Sequence, residues 1–198
     1  MMPARWTSAL LISMFAVAAI ADPVATTPVD PNLQRAQTAM AELGQTLRTA
    51  LQEKIANDGV VAAVTFCADE APRIAAEVSE KHGVTVGRTS VRHRSAANTP
   101  SDWQRATLDA FATRVANGED PAVVASTESN AVLRVAKGIK VEAPCLMCHG
   151  PKDSIAPDVA QAITAKYPAD LATGFRLGDL RGLIWAEVSL GATGVDRP

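Results

Sequence analysis

Residues 30–59 read DPNLQRAQTAMAELGQTLRTALQEKIANDG, and this stretch predicts the longest element of the domain. Apolar side chains recur in it at spacings of three and four residues: Leu33, Ala36, Met40, Leu43, Leu47, Leu51 and Ile55. This spacing places them on one face of an α-helix. Asp30 and Pro31 are typical of an N-cap and a first-turn proline, and the Asn-Asp-Gly sequence at 57–59 is typical of a helix end.

A second helical stretch follows, from Val60 towards Lys81. We expect it to break near Cys67, because the proline at position 72 begins a new turn. Gly83 is expected to end this stretch in the left-handed conformation, for which glycine carries no steric penalty.

The rest of the chain interleaves helices with strands and shows no βαβ rhythm and no repeat. The remaining predicted elements are a strand at 84–90, a helix starting at Thr99-Pro100 and ending near 117–118, a hairpin of 121–126 and 131–136, a helix around 159–167, and a strand at 183–190. This order predicts an α+β domain.

Composition and the N-terminal segment bound the class of protein. A chain of 198 residues with a net charge of −2 predicts one domain, without the charge that attracts nucleic acid or a membrane surface. Arg5, the apolar run at 10–20 and the Ala-Ile-Ala sequence at 19–21 predict a signal peptide over residues 1–21. The run is shorter than the roughly 20 residues of a membrane-spanning helix. We expect a flexible lead-in at 22–29, a single domain at 30–198 and a soluble periplasmic protein.

Residues 145–149 carry the clearest chemical signal, Cys-Leu-Met-Cys-His. This is the Cys-x-x-Cys-His motif of c-type haem attachment. Two cysteines three positions apart on one helical turn project to the same side, where each forms a thioether with a haem vinyl group. The motif predicts one covalently attached haem c per chain, held by Cys145 and Cys148, with His149 as an axial iron ligand.

Two other readings of the motif are weaker. A thioredoxin-like dithiol follows a strand in a βαβ unit, which this chain lacks. A zinc site needs a second Cys-x-x-Cys or a spaced histidine pair, which is also missing. The export signal beside the motif favours haem.

The residues alone do not decide which side chain binds the iron opposite His149. Met40 lies on the apolar stripe of the first helix and His82 at a helix C-terminus, while His93 is expected in a solvated loop. Cys67 is the one thiol outside the motif, and iron ligation protects a lone thiol in an oxidising compartment. Spacing alone leaves Cys67 and an open sixth position as alternatives.

The chain also resembles a family of small exported c-type haem domains with a PAS-like fold, which also occur as extracytoplasmic sensor regions of signalling proteins. The resemblance spans roughly residues 30 to 190. Its motifs, in chain order, are Phe66-Cys67-x3-Ala71-Pro72-x-Ile74-Ala75, then Gly87-Arg88-Thr89-Ser90-x3-Arg94-x3-Asn98-x-Pro100-x2-Trp103, and, after Cys-x2-Cys-His-Gly, Tyr167-Pro168-x-Asp170-x-Ala172-x-Gly174-x3-Gly178-Asp179-x-Arg181-Gly182. One departure is Ser95-Ala96, where family members tend to carry Asn-Pro.

The resemblance implies a PAS-like antiparallel sheet flanked by helices, with a long N-terminal helix. It also implies that the haem iron is ligated by His149 and Cys67. Arg88 and Arg94 are expected either to face the haem propionates, since arginine matches carboxylates bidentately, or to be ordinary structural arginines.

Two functions follow from this ligation. A thiolate favours ferric iron and lowers the reduction potential, which predicts a low-potential electron carrier with a periplasmic redox partner. The alternative is a sensor of redox state or of a diatomic gas, in which Cys67 leaves the iron on reduction. The sequence shows no output module after the domain, so a sensor would act through a separate signalling protein, and this favours electron transfer. A filled coordination sphere and the lack of another catalytic set predict that the protein is not an enzyme.

Overall fold

A computed structural model describes residues 30–122, 124–128 and 132–191. The predicted signal peptide (1–21) and lead-in (22–29) lie outside the described residues. The helices are α1 (Pro31–His82), α2 (Asp102–Ala116), α3 (Leu146–His149) and α4 (Pro157–Lys166), and the strands are β1 (Thr85–Thr89), β2 (Val124–Glu128), β3 (Val132–Lys140) and β4 (Leu180–Ser189). None of these helices is both long and apolar enough to cross a membrane.

The four strands form one antiparallel sheet in the order β1-β4-β3-β2. The hairpin predicted near 121–136 is the β2–β3 pair. The last strand of the chain lies inside the sheet, between β1 and β3. The segment 183–186 of β4 is wholly apolar, because α1 covers one face of the sheet there and α2 covers the other.

Helix α1 consists of two arms that meet at Gly59, where the backbone leaves the helical region (φ 84°, ψ 172°). The predicted boundary at 57–59 is therefore confirmed. The arms fold back on each other, because Glu42 of the first arm accepts hydrogen bonds from Lys81 (2.8 Å) and lies 2.8 Å from His82 Nε2 near the end of the second. Asp30 accepts a hydrogen bond from the Asn32 amide at 2.8 Å, as expected of an N-cap.

The predicted break near Cys67 is wrong, because the second arm runs without interruption through Cys67 and Pro72 to the left-handed Gly83 (φ 60°). A proline inside a helix removes one hydrogen bond and costs about 3 kcal/mol. Buried side chains on both sides of Pro72, from Val64 to Val78, hold the helix in place and offset that cost. A smaller difference concerns α2, whose N-cap is Ser101 rather than Thr99.

The two faces of the sheet carry different layers. Both arms of α1 cover one face with a mainly aliphatic core: Ala36, Ala39, Met40, Leu43, Leu47, Ala71, Ile74 and Val78 against Val84, Val86, Leu133, Val135, Ile184, Ala186 and Val188. Helix α2 covers the other face through Leu108 and Phe111, which pack on Ala136 and Leu183. Alternation along β4 sends neighbouring residues to opposite layers, as the strand period requires. The architecture confirms the predicted α+β class, a PAS-like antiparallel sheet flanked by helices with a long N-terminal helix.

Candidate functional site

The Cys-x-x-Cys-His motif lies on a short helix, α3 (Leu146–His149), which continues a 3₁₀ turn at Ala143–Cys145. One helical turn therefore carries both thiols on the same side. The turn ends at Gly150, whose amide donates to the Leu146 carbonyl at 3.0 Å. A Cβ at Gly150 would lie 2.6 Å from that oxygen, so only glycine fits directly after the histidine.

The His149 ring is held in one orientation and one tautomer. Its Nδ1 donates to the Ala172 carbonyl at 2.7 Å, and since a carbonyl only accepts, the proton lies on Nδ1 and the Nε2 lone pair is free. Burial, together with the positive charges of Arg181 and Arg94, lowers the pKa of His149 to about 3. The Phe175 ring lies edge-on to the imidazole, with 6.4 Å between centroids.

A segment formed by residues 170–175, the brace segment, runs beside the motif. The Gly174 amide donates to the Gly150 carbonyl at 2.7 Å, and the Phe175 amide donates to the His149 carbonyl at 2.9 Å. These bonds satisfy backbone groups that a four-residue helix leaves unpaired at its end. The brace segment therefore fixes the backbone of the motif as well as the His149 ring.

Arg94 joins the motif to the brace segment. Its guanidinium binds the Asp170 carboxylate side-on through two hydrogen bonds, from Nε to Oδ1 at 3.1 Å and from Nη2 to Oδ2 at 3.3 Å. Nη2 also donates to the carbonyls of Cys148 (2.5 Å) and Ala172 (3.3 Å). The side chains of Arg94 and Asp170 are only 12% and 10% exposed, so this ion pair is largely out of water.

Cys67 lies half-buried on the second arm of α1. Burial raises the pKa of the Cys67 thiol, and the charges of Arg88 and Arg94 act in the opposite direction. Cys67 is close enough to Cys148 that its charge contributes to raising the pKa of that thiol, although burial is the larger cause. The structure thus brings the thiol outside the motif to the same part of the domain as the motif.

Arg88 lies near Cys67 and Tyr167, whose charges act on its guanidinium. Its side chain is exposed to solvent, yet desolvation by the surrounding protein lowers its pKa. Both properties are those expected of a group at the wall of a concave surface, and the surroundings of His149, Arg88, Arg94 and Arg181 are called the cleft below. Within the described ranges the Arg88 guanidinium makes no hydrogen bond or ion pair to the protein, whereas Arg94 is held by Asp170 and two carbonyls. The two arginines that the sequence analysis paired therefore differ in their availability to a ligand.

Arg181 and Asp170 make contacts at the site that the sequence analysis did not predict. Both residues were quoted only as part of the family motif. Burial, together with the charges of Arg94 and Arg88, lowers the pKa of Arg181 to about 10. Asp170 is the ion-pair partner of Arg94. Local patterning gave neither residue a role, because both contacts join segments more than 70 residues apart in the chain.

The other residues considered as iron ligands have different surroundings. Met40 is 4% exposed and belongs to the core between α1 and the sheet. His82 contacts Glu42 at the end of α1. His93 is half-buried rather than solvated, its carbonyl accepts from the Leu171 amide at 3.1 Å, and its Nδ1 is buried with no hydrogen-bond partner among the described residues.

Comparisons with known proteins place this chain within a family. The fold matches the crystal structure of the cyanobacterial heme-protein Tll0287 with a TM-score of 0.61 and 24% sequence identity, covering 81% of this chain and 97% of that one. A search of curated proteins gave no significant match. The family model described as Tll0287-like matches residues 27–189, which contain every site residue described above. The chain belongs to the Tll0287-like family.

Proposed function

We propose that the protein is a periplasmic mono-haem c-type cytochrome that transfers electrons at low potential. Cys145 and Cys148 attach the haem covalently, and His149 and Cys67 are the axial ligands of its iron. The observation that carries the proposal is the hydrogen bond from His149 Nδ1 to the Ala172 carbonyl (2.7 Å), which leaves Nε2 free on a rigid motif. A metal-bound histidine in proteins is oriented in the same way, through its other ring nitrogen.

The charge of the cleft fits a haem. Arg88, Arg94 and Arg181 each lower the pKa of His149, and among the described residues Asp170 is the one carboxylate that pairs with any of them. This leaves two positive charges in excess, which the two propionates of a haem would balance. Because Arg94 is held by Asp170, Arg88 is the better partner for a propionate, and its guanidinium suits a carboxylate bidentately.

Each residue then has a distinct task. When bound, the haem supplies a one-electron couple. Cys67, as an anionic ligand, favours the ferric state and keeps the reduction potential low. His149, whose ring is oriented by the Ala172 carbonyl, would be the second iron ligand, and the thioethers of Cys145 and Cys148 would prevent loss of the group. Two ligands leave no position for a substrate, so we propose electron exchange with a periplasmic partner protein rather than catalysis.

The relative of known structure supports this proposal. Tll0287, the cyanobacterial protein that shares the fold, is a heme-protein. All residues of the proposed haem site lie within residues 27–189, the range that the family model matches.

Electron paramagnetic resonance of the ferric protein, matured in cells that attach c-type haem, tests the ligand set. We expect a low-spin signal with the narrow g-spread of thiolate ligation, and loss of that signal in Cys67→Ala. His82→Gln and His93→Gln are matched controls and should leave it unchanged. A broad signal of bis-histidine type that disappears in one of these histidine variants would move the ligand from Cys67 to that histidine, and a high-spin signal would leave the position open.

Carbon monoxide separates the electron carrier from a sensor. If Cys67 stays on the iron after reduction, the ferrous protein does not bind carbon monoxide and its reduction by a small mediator is rapid. Stoichiometric binding by the wild-type ferrous protein would favour the sensor reading. Cys67→Ala, with one position open, is the positive control and should bind it.

A further inference from the structure

The Ala172 carbonyl is shared by two donors of different kinds. It accepts the His149 Nδ1 proton at 2.7 Å and an Arg94 Nη2 proton at 3.3 Å. A carbonyl has two lone pairs and accepts both, but each donor withdraws electron density that the other would use. The cationic donor therefore weakens the bond that the histidine makes.

The strength of that histidine bond matters for a metal site. A strong acceptor at Nδ1–H gives the imidazole more anionic character and raises the basicity of Nε2, whereas a weakened acceptor lowers it. Any group that changes the acceptor strength of the Ala172 carbonyl thus acts on the His149 ring through one hydrogen bond. Arg94 is the charged group that acts on that carbonyl.

Asp170 sets how strongly Arg94 acts. The carboxylate holds the guanidinium side-on through Nε and Nη2, and its Oδ1 also accepts from the Ala172 amide at 2.8 Å. The pair is largely buried, so solvent screens the electrostatic attraction between the two side chains only weakly. The position of Arg94 against the Ala172 carbonyl is therefore fixed rather than averaged over rotamers.

We infer that Arg94 is a positioning residue that, through the Ala172 carbonyl, sets the donor strength of His149 towards the haem iron. The inference rests on the proposed function, since it requires His149 to be an iron ligand. It assigns Arg94 to the tuning of the ligand ring, whereas Arg88 remains available to a propionate.

Arg94→Lys in the full-length, haem-loaded protein is the first test. Lysine keeps the positive charge, but its single nitrogen cannot hold Asp170 side-on and also contact both carbonyls. Freed from Arg94, the Ala172 carbonyl binds the His149 proton more strongly. We expect the reduction potential to become more negative and the g-values of the ferric protein to change. Arg114→Lys is the matched control, since Arg114 also pairs through Nε with a carboxylate, Glu119 (3.2 Å), but on the exposed end of α2.

The outcomes separate the inference from the proposed function. If Arg94→Lys lowers only the haem yield or the melting temperature, while potential and g-values match wild type, Arg94 is merely structural and the inference is wrong. If the wild-type protein carries no haem on His149, the proposed function fails first. Such a result is visible in the wild-type spectrum before any variant is made.

Asp170→Asn keeps the inference testable if Arg94→Lys does not mature. Asparagine retains an oxygen for the Ala172 amide but no longer opposes the guanidinium charge. Arg94 then donates more strongly to the Ala172 carbonyl, the His149 bond weakens and the potential becomes more positive. If Asp170→Asn acts only through the lost negative charge, the potential shifts while the g-values stay those of the wild type. That result would overturn the inference.

Discussion

The core between α1 and the sheet and the cleft around His149 are stabilised in different ways. The core consists of buried, mainly aliphatic side chains, and it needs nothing beyond the chain itself. The cleft brings Arg88, Arg94 and Arg181 together with one paired carboxylate, and three thiols without disulfide partners. The comparison contrasts a core closed by the apolar side chains of the chain itself with a cleft whose positive charge the propionates of the proposed haem would balance.

The largest expected effect comes from removing the attachment residues. We expect Cys145→Ser combined with Cys148→Ser to abolish covalent haem, because no thiol remains to form a thioether. Mass spectrometry of the purified chain measures the attached group. The far-UV circular dichroism should stay helical, since the core does not depend on the motif.

The matched control for this experiment is Cys67→Ser, which keeps both attachment thiols and should retain covalent haem. A double variant that loses its helical signal would contradict the comparison. It would show that the haem site and the core fold as one unit.

The second effect concerns the buried ion pair of the cleft. We expect Arg94→Ala to lower the free energy of unfolding by about 3–5 kcal/mol, because it leaves the Asp170 carboxylate buried and unpaired. Urea denaturation at neutral pH gives this value. Arg48→Ala is the control, since Arg48 binds Glu142 at 2.9 Å with both side chains more than half exposed, and such a pair is worth at most about 1 kcal/mol. Equal losses in the two variants would mean that Asp170 is in contact with water.

The third effect tests the core. Leu43 is fully buried, and we expect Leu43→Ala to cost about 2–5 kcal/mol through lost apolar burial and the cavity left behind. The haem spectrum should not change, because Leu43 packs in the core of α1 and the sheet rather than in the cleft. Leu177→Ala, at a residue 66% exposed, should change stability by about 0.5 kcal/mol or less. A spectral change in Leu43→Ala would show that the two regions are coupled.

The smallest effect is the pH dependence of the contact between the arms of α1. Hydrogen bonds from Lys81 and His82 hold the pKa of the Glu42 carboxyl below its ordinary value of 4.5. A carboxyl with a lowered folded-state pKa stabilises the fold above the unfolded value, and the contribution disappears as the pH falls through the folded value. Wild type should therefore melt at a higher temperature than Glu42→Gln at pH 6, with the difference vanishing in strong acid.

A melting-temperature difference that persists in strong acid would contradict this assignment. It would mean that the substitution acts through packing of the arms rather than through the charge of Glu42. Glu53→Gln, on the same helix and without a hydrogen-bond or ion-pair partner among the described residues, is a suitable control.

Local sequence patterns were sufficient for most of the elements and for finding the Cys-x-x-Cys-His motif. The three-four spacing of apolar residues, Gly59 and Gly83 each act within a few positions, so the first arm of α1 and the ends at Gly59 and Gly83 followed from them. The same holds for the hairpin of β2 and β3 and for the Cys-x-x-Cys-His spacing. Such features depend on backbone geometry and on neighbours along the chain, which a sequence displays directly.

Only the tertiary structure distinguished residues whose sequence surroundings look alike. Pro72 was read as a break, but packing on both sides keeps the helix intact. Arg88 and Arg94 are both basic residues of one motif, yet Arg88 makes no hydrogen bond or ion pair among the described residues and Arg94 is bound to Asp170, 76 positions away. The acceptor for His149 is a backbone carbonyl at residue 172, which any amino acid supplies. Contacts of this kind depend on which distant segments meet, and no local pattern encodes them.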